Sequence, residues 1–223
     1  MRNYALPNRK ECLELIRECH VPAHILRHSK ATAKLGVFLA KRLAENGAEV
    51  DVELVERACL LHDIFRVCEF PLEDFGRFDQ PVTEEDKTKW RRLKERHGHH
   101  PHEDAASAYL NDAYPILAET IRKHRYTAVV DDGDKPQTWE EKIVYYADKR
   151  VMHHTIVPLQ DRLDEAHRRN VLRRRAADVD DSEIERIDAA IFELEAELFD
   201  PIGLDADAVT AEFIDAYDPE TGR

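Results

Sequence analysis

The stretch that decides the fold is ACLLHDIFR, residues 58–66, in which a histidine and an aspartate interrupt a run of apolar residues. At helical spacing the inner face of the predicted helix that contains this segment holds Leu54, Ala58, Leu61, His62 and Phe65. Asp63 lies about 100° round from His62, at the edge of that face. A carboxylate among apolar side chains is costly unless it is paired or binds a metal ion. The segment therefore predicts a polar centre inside the fold.

Ionisable residues also fall on the apolar faces of four other predicted helices. They are His28, His102, His124 and Asp148. One inward histidine is more often a core residue than a ligand. Four imidazoles and two carboxylates together would leave many polar groups to satisfy, whereas a divalent cation satisfies both kinds at once. The set predicts a metal site, and its mixed nitrogen and oxygen ligands suit manganese, iron, nickel, zinc or cobalt.

The remaining chain favours an all-α fold, because helical spacing recurs and alternating strand patterns are scarce. The helix containing His62 and Asp63, called the HD pair below, is expected to run through Phe65. Capping residues are predicted at Asn8 with Glu11, Asp51, Thr83, Thr138 with Glu141, and Ser182 with Glu185. The histidines at 97, 99 and 100 are assigned to a loop, and His153 and His154 to a solvated helix end.

The C-terminal part of the chain is predicted to form an αα-hairpin. Its second helix carries an apolar stripe formed by Ile184, Ile187, Ile191, Leu194 and Leu198. The stripe packs either on the domain or on another subunit, which would make a homo-oligomer. We therefore divide the chain into a domain at residues 1–157, with its core at about 20–155, and a helical hairpin with a tail at residues 158–223.

Composition narrows the classes of function. The 223 residues carry a formal charge of −13, which argues against general nucleic-acid binding. No segment approaches the roughly 18 apolar residues of a membrane span. The N-terminus lacks the zones of a signal peptide, so we expect a cytoplasmic protein with reduced cysteines. The basic segment at 87–96 is interpreted as a solvated helix face in preference to a phosphate-binding lid.

Five motifs in order resemble the HD superfamily of metal-dependent phosphohydrolases. They are LRHS at 26–29, ACLLHDIFR at 58–66, HEDAASAYL at 102–110, IRKH at 121–124 and YYADKR at 145–150. The resemblance covers about residues 20–155. It implies an HD-domain helical bundle that hydrolyses a phosphoester, expected to be a nucleotide or another small phosphorylated metabolite.

The resemblance also implies a ligand set. One metal ion would be held by His28, His62, Asp63 and Asp148. His102 and His124 match the additional ligands of the dinuclear branch, with Asp63 bridging the ions. That branch includes the HD-type symmetrical diadenosine tetraphosphate hydrolases, from which this chain departs at Ala106, Ser107, Arg125 and Tyr126. The cofactor is thus one or two ions of manganese, iron, nickel, magnesium, zinc or cobalt, and the substrate is left open.

Catalytic roles follow from these positions. Asp63 is expected to orient a water molecule whose pKa the metal lowers. Arg66 and Lys149 are candidates for catalysis and for binding phosphate oxygens. Arg27 and Lys123 are weaker candidates for substrate binding, since they only adjoin proposed ligands.

Two alternative functions stay open from the sequence. A di-iron oxygenase with the HD fold would suit four histidines and two aspartates equally well. A nucleotide-sensing regulatory domain would bind its ligand without turnover and signal through the C-terminal hairpin.

Overall fold

The computed structural model describes residues 4–72, 75–76, 78–177 and 180–218. These ranges form ten α-helices and a short β-hairpin, so the all-α prediction is confirmed. The helices are α1 (Arg9–Glu18), α2 (Ala23–Glu45), α3 (Val52–Leu61), α4 (Glu84–His97), α5 (His102–Leu110), α6 (Pro115–Arg122), α7 (Trp139–Lys149), α8 (Leu159–Ala177), α9 (Asp181–Phe199) and α10 (Ala211–Ala216). The antiparallel hairpin pairs β1 (Val151–Met152) with β2 (Thr155–Ile156), and Val151 faces Ile156.

Helix caps follow the sequence at most of the predicted places. Asn8, Thr83 and Thr138 each form a capping box, and Asp51 accepts the backbone N–H groups of residues 53 and 54. The cap predicted at Ser182 is wrong. Asp180 caps α9 instead, because its carboxylate accepts the backbone N–H of Ser182 and starts the helix earlier.

The helix that carries the HD pair is shorter than predicted. It ends at Leu61, and a turn leads into a 3₁₀-helix at Arg66–Glu69. Backbone bonds from Ile64 to Leu61 and from Arg66 to Asp63 span three residues, which tightens the chain after the helix. His62 and Asp63 therefore lie at the end of a helix, where the chain turns, and not along its side.

The core is built around α2, which packs against both α3 and α7. Gly36 allows the contact with α3, because a Cβ atom there would lie 2.8 Å from the Sγ of Cys59 and 3.1 Å from Val55. All four cysteines are buried and unbridged, as the sequence predicted. No helix in the described ranges is both long enough and apolar enough to cross a membrane.

The C-terminal helices pack on the rest of the same chain. The predicted apolar stripe of α9 is buried, and α9 contacts α7 and the 3₁₀-helix at Tyr126–Val130. A contact between His167 and Asp188, 3.3 Å apart, links α8 to α9. The stripe is thus covered within one chain. The domain boundary at residue 157 and a homo-oligomer through the hairpin stay predictions.

A buried guanidinium ties these segments together. Arg150 has no exposed surface and follows α7 directly. It donates to the carbonyl oxygens of Val157, Ala206 and Val209, the last two at 2.9 and 3.3 Å, and to the hydroxyl of Tyr146 at 2.5 Å. The residue after β2, the loop before α10, and α7 all accept from this one cation. Removing the guanidinium would therefore leave several buried acceptors unsatisfied.

We expect Arg150→Ala to lower the free energy of unfolding by about 3 kcal/mol, the typical result of removing one partner from a buried charged network. Denaturant titration followed by circular dichroism measures this loss. Arg168→Ala, which removes an exposed arginine of α8, should change stability by less than about 0.5 kcal/mol. Equal stabilities for the two variants would contradict the structural role of Arg150.

Candidate metal centre

The six residues predicted as ligands come together in the structure. Five of them line a cavity of about 1020 Å³, and His62 is fully buried beside them. His28 lies on α2, His62 and Asp63 end α3, His102 begins α5, His124 follows α6, and Asp148 lies in the last turn of α7. Five helices therefore contribute to one cluster, and four of the five do so from an end. Whether each residue binds a metal stays a prediction.

Asp63 is the centre of the cluster. Its Oδ1 lies 2.9 Å from the Nε2 of His102 and 3.9 Å from that of His124. Its Oδ2 lies 3.7 Å from the Nε2 of His62 and 4.0 Å from that of His28. The ligand atoms of Asp63, His28 and His62 are close enough together to hold one ion, and so are those of Asp63, His102 and His124. The two oxygens of one carboxylate thus face two groups of imidazoles.

The ring orientation of each histidine is fixed from outside the cluster. For His28, His62 and His124, Nδ1 faces a backbone carbonyl, so Nδ1 carries the proton and Nε2 points inward. The Nδ1 of His102 lies between a carboxylate oxygen of Glu69 and the Nη1 of Arg66, 3.0 Å from the latter. The Nδ1 distances are 3.2 Å from His28 to the carbonyl of His153, 2.8 Å from His62 to that of Cys59, 2.5 Å from His124 to that of Ile121, and 2.7 Å from His102 to the Oε1 of Glu69. Such outer acceptors are typical of histidines that bind metals.

The inward nitrogens need a cation. With Nδ1 protonated, a neutral imidazole presents a lone pair at Nε2. The Nε2 of His28 lies 2.9 Å from an oxygen of Asp148, and the Nε2 atoms of His102 and His124 are 3.2 Å apart. The buried Nε2 of His62 makes no hydrogen bond within the described ranges. A proton or a metal ion has to lie between each of these nitrogens and the neighbouring oxygen or nitrogen, and the mixed imidazole and carboxylate groups fit a divalent metal ion.

The pKa values of the clustered residues show that these residues interact strongly with one another. Burial acts to lower the pKa of His102, but Asp63 and Glu69 outweigh it and raise that pKa to about 9. Burial and the neighbouring histidines hold the pKa of His124 well below its usual value. Burial would raise the pKa of Asp63, yet the adjacent imidazoles His62 and His102 keep it well below its ordinary range. The carboxylate is therefore ionised and ready to bind a cation.

Three of the four predicted cationic residues line the cavity. Arg66 lies at its edge and donates to the Oε2 of Glu69 at 2.9 Å. The Nζ of Lys149 bonds the Oδ2 of Asp148 at 2.6 Å and the carbonyl of His124 at 2.9 Å. Arg27 pairs with Asp79 at the rim.

Lys123 is placed differently from the sequence prediction. It does not line the cavity, because its ammonium group turns to Glu141 at 3.0 Å, near the start of α7. Its neighbour His124 points the other way, into the cluster. Adjacency in sequence at the end of a helix is therefore a poor guide to a shared site.

Several histidine and aromatic predictions need correction. His97 belongs to the last turn of α4, not to a loop, because its ring stacks on Phe65 with centroids 4.6 Å apart. Tyr109 shares the helical spacing of His102 and Ala106, which predicts an inward side chain, but it is 44% exposed. His153 and His154 occupy the turn between β1 and β2, where they line the cavity instead of ending a helix.

The basic segment at 87–96 behaves as expected. It lies on α4 with most of its charged side chains exposed or half-buried, and Trp90 is the residue that faces the core. The cavity lining includes no described residue of α4.

Sequence reasoning missed Glu69 and Glu103. Both carboxylates face the Nδ1 of His102, at 2.7 and 3.1 Å. Burial acts to raise the pKa of Glu69, but His102 and Arg66 outweigh it and lower that pKa to about 2. Glu103 directly follows His102 in the first turn of α5, where the sequence allows an acid or base but favours a residue that complements the helix dipole. Glu69 gave no sequence signal, since the bend after α3 is what brings it to α5.

We expect a divalent metal to stabilise the protein through this cluster. At a free metal concentration of 100 times the dissociation constant, the gain is about 2.7 kcal/mol. Thermal unfolding of chelator-treated protein, with and without added manganese, measures it. Asp63→Ala should abolish the increment, while Asp132→Ala, which removes an exposed loop carboxylate, should retain it. An undiminished increment in Asp63→Ala would refute the metal site.

Glu69→Ala should weaken metal binding by about 10-fold to 100-fold, because the ring of His102 loses the nearer of the two carboxylates at its Nδ1. Competition with a fluorescent metal chelator measures the affinity. The matched control is Glu95→Ala, at an exposed position of α4. If both variants bind metal like the wild type, Glu69 has no part in positioning His102.

Comparison with known proteins agrees with this geometry. No curated protein and no solved structure matches the chain. The family model described as HD domain matches residues 25–152, more than half of the chain and a range that contains all six clustered residues. HD domains bind divalent metal ions and are in general metal-dependent phosphohydrolases. The chain belongs to the HD domain family.

Proposed function

We propose that this protein hydrolyses a phosphoester of a small phosphorylated metabolite, such as a nucleotide, at the cluster around Asp63. The observation that carries the proposal is the orientation of the four histidines, whose Nε2 atoms all face the carboxylates of Asp63 and Asp148 inside an open cavity. A divalent ion held there supplies Lewis acidity and lowers the pKa of water near neutrality.

The cluster further supports a dinuclear centre. We propose that His28, His62 and Asp148 hold one ion and that His102 and His124 hold the other. Asp63 would be shared by the two groups of ligands, since its Oδ2 faces the first group and its Oδ1 faces the second. This arrangement is the one that the resemblance to the HD-type diadenosine tetraphosphate hydrolases implies, and two metals suit in-line displacement at phosphorus.

The two cationic side chains nearest the cluster, Lys149 and Arg66, have different roles. The Nζ of Lys149 donates to the carboxylate of Asp148 and to the backbone carbonyl of His124. We therefore assign it to positioning these two residues and to balancing the charge of Asp148. Arg66 lies at the cavity edge with its side chain about one-third exposed. Its planar guanidinium has five donors, and Glu69 accepts only from Nη1, so donors remain for phosphate oxygens.

The test begins with protein stripped of metal and reloaded separately with manganese, magnesium, iron, nickel, cobalt or zinc. Release of phosphate or nucleotide product is then measured for nucleoside mono-, di- and triphosphates, diadenosine tetraphosphate and a simple phosphomonoester. We expect turnover with at least one metal, and loss to background in Asp63→Asn. Oxygen consumption with iron and no hydrolysis would instead support an oxygenase. Tight nucleotide binding without turnover under all metals would support a sensor.

Metal content separates the mononuclear and dinuclear possibilities. Elemental analysis of the wild type should give about two ions per chain. His28→Ala and His124→Ala should each lose about one ion, because the two histidines lie on different sides of Asp63. His99→Ala, at an exposed position, should lose none. A wild type that holds a single ion, which His28→Ala loses and His124→Ala retains, would establish a mononuclear centre.

A further inference from the structure

The cavity extends well beyond the cluster of histidines and aspartates. Its volume of about 1020 Å³ is at the upper end of the range for sites that enclose a drug-sized ligand. A phosphoryl group and its metal ions fill only the end around Asp63. The far side is formed by α8 and α9, which lie outside the residues matched by the HD domain model. This side of the cavity therefore comes from outside the matched HD domain.

The wall contributed by these two helices is apolar at its centre. We define the α8–α9 wall by four of the side chains that line the cavity, Leu163, Ala166, Ile184 and Ile187. Leu163, Ile184 and Ile187 are buried, with exposed fractions of 2%, 7% and 2%. Ala166 is half-buried and small, so it leaves space in front of it. Such a surface favours contact with an apolar or flat group.

Charges around the wall are balanced within the protein. Arg162 and Arg169 both lie near Glu165, at 3.1 and 3.5 Å, and His167 lies 3.3 Å from Asp188. The exposed carboxylate of Glu183 also lines this side. A second phosphate placed here would compete with carboxylates for each cation, which disfavours a bisphosphate. The wall is thus suited to an uncharged part of a substrate.

We propose that the α8–α9 wall binds the uncharged organic part of the phosphoester, a group with a flat or apolar face such as a nucleoside, and so selects the substrate. The inference rests on the proposed hydrolysis at Asp63, which supplies the phosphoryl end of the same cavity. Ala166 is the specificity-determining position, because any larger side chain there reduces the room for the organic group.

The experiment compares substrates that share one phosphoryl group but differ in the rest. Adenosine 5′-monophosphate has a nucleoside, glycerol 3-phosphate a small polyol, and fructose 1,6-bisphosphate a second phosphate. We expect the wild type to favour adenosine monophosphate in kcat/KM. Ala166→Trp should raise the KM for adenosine monophosphate by about tenfold and leave the KM for glycerol phosphate unchanged. Ala166→Leu should have an intermediate effect. Ala189→Trp, at an exposed position of α9 outside the cavity lining, should change neither.

Binding of adenosine itself, measured by calorimetry, keeps the inference separate from the proposed reaction. Weaker adenosine binding in Ala166→Trp and Ala166→Leu, at unchanged metal content and melting temperature, supports the wall even if no phosphoester is hydrolysed. In that case the proposed function fails alone. If hydrolysis occurs but Ala166→Leu affects all three substrates equally or none of them, or if the bisphosphate is preferred, the inference about the wall is overturned.

Discussion

The carboxylate of Asp63, held in the interior between imidazole nitrogens, is the constraint on which the rest of the site depends. An ionised group in such a place has to be balanced by positive charge. The end of α3 at Leu61 turns Asp63 toward the cavity, and the close contact of α2 with α3 at Gly36 brings His28 within reach. The other three helices place His102 and His124 beside Asp63 and add a second carboxylate, Asp148, whose charge Lys149 offsets.

Helix ends supply the outer support of the cluster. The last carbonyl groups of a helix have no partner within it and are available to accept hydrogen bonds. His62 and His124 both use such a group, since each ring donates from Nδ1 to the carbonyl three residues earlier. The same local geometry thus fixes two imidazoles at the ends of two different helices. His102 begins its helix instead, has no such carbonyl, and relies on the side chain of Glu69.

The C-terminal helices are coupled to this centre through Arg150. The residue lies two positions after Asp148, and its buried guanidinium holds the carbonyl groups of Ala206 and Val209. The segment that follows the HD domain is consequently fixed relative to α7, and α8 and α9 can form one side of the cavity. Helices outside the matched HD domain thereby line the same cavity as the clustered histidines and aspartates.

The sequence by itself determined the all-α class, most helix caps and the six inward ionisable residues, because helical periodicity reports which face of each segment is buried. It did not determine what those residues meet. His28 and Asp148 are 120 positions apart, and periodicity within a helix contains no information about such a pair. Glu69 at His102, Lys123 turned away to Glu141, and the cavity wall at Ala166 all depend on how the helices pack. Tertiary structure alone decided them, since each is a contact between distant segments.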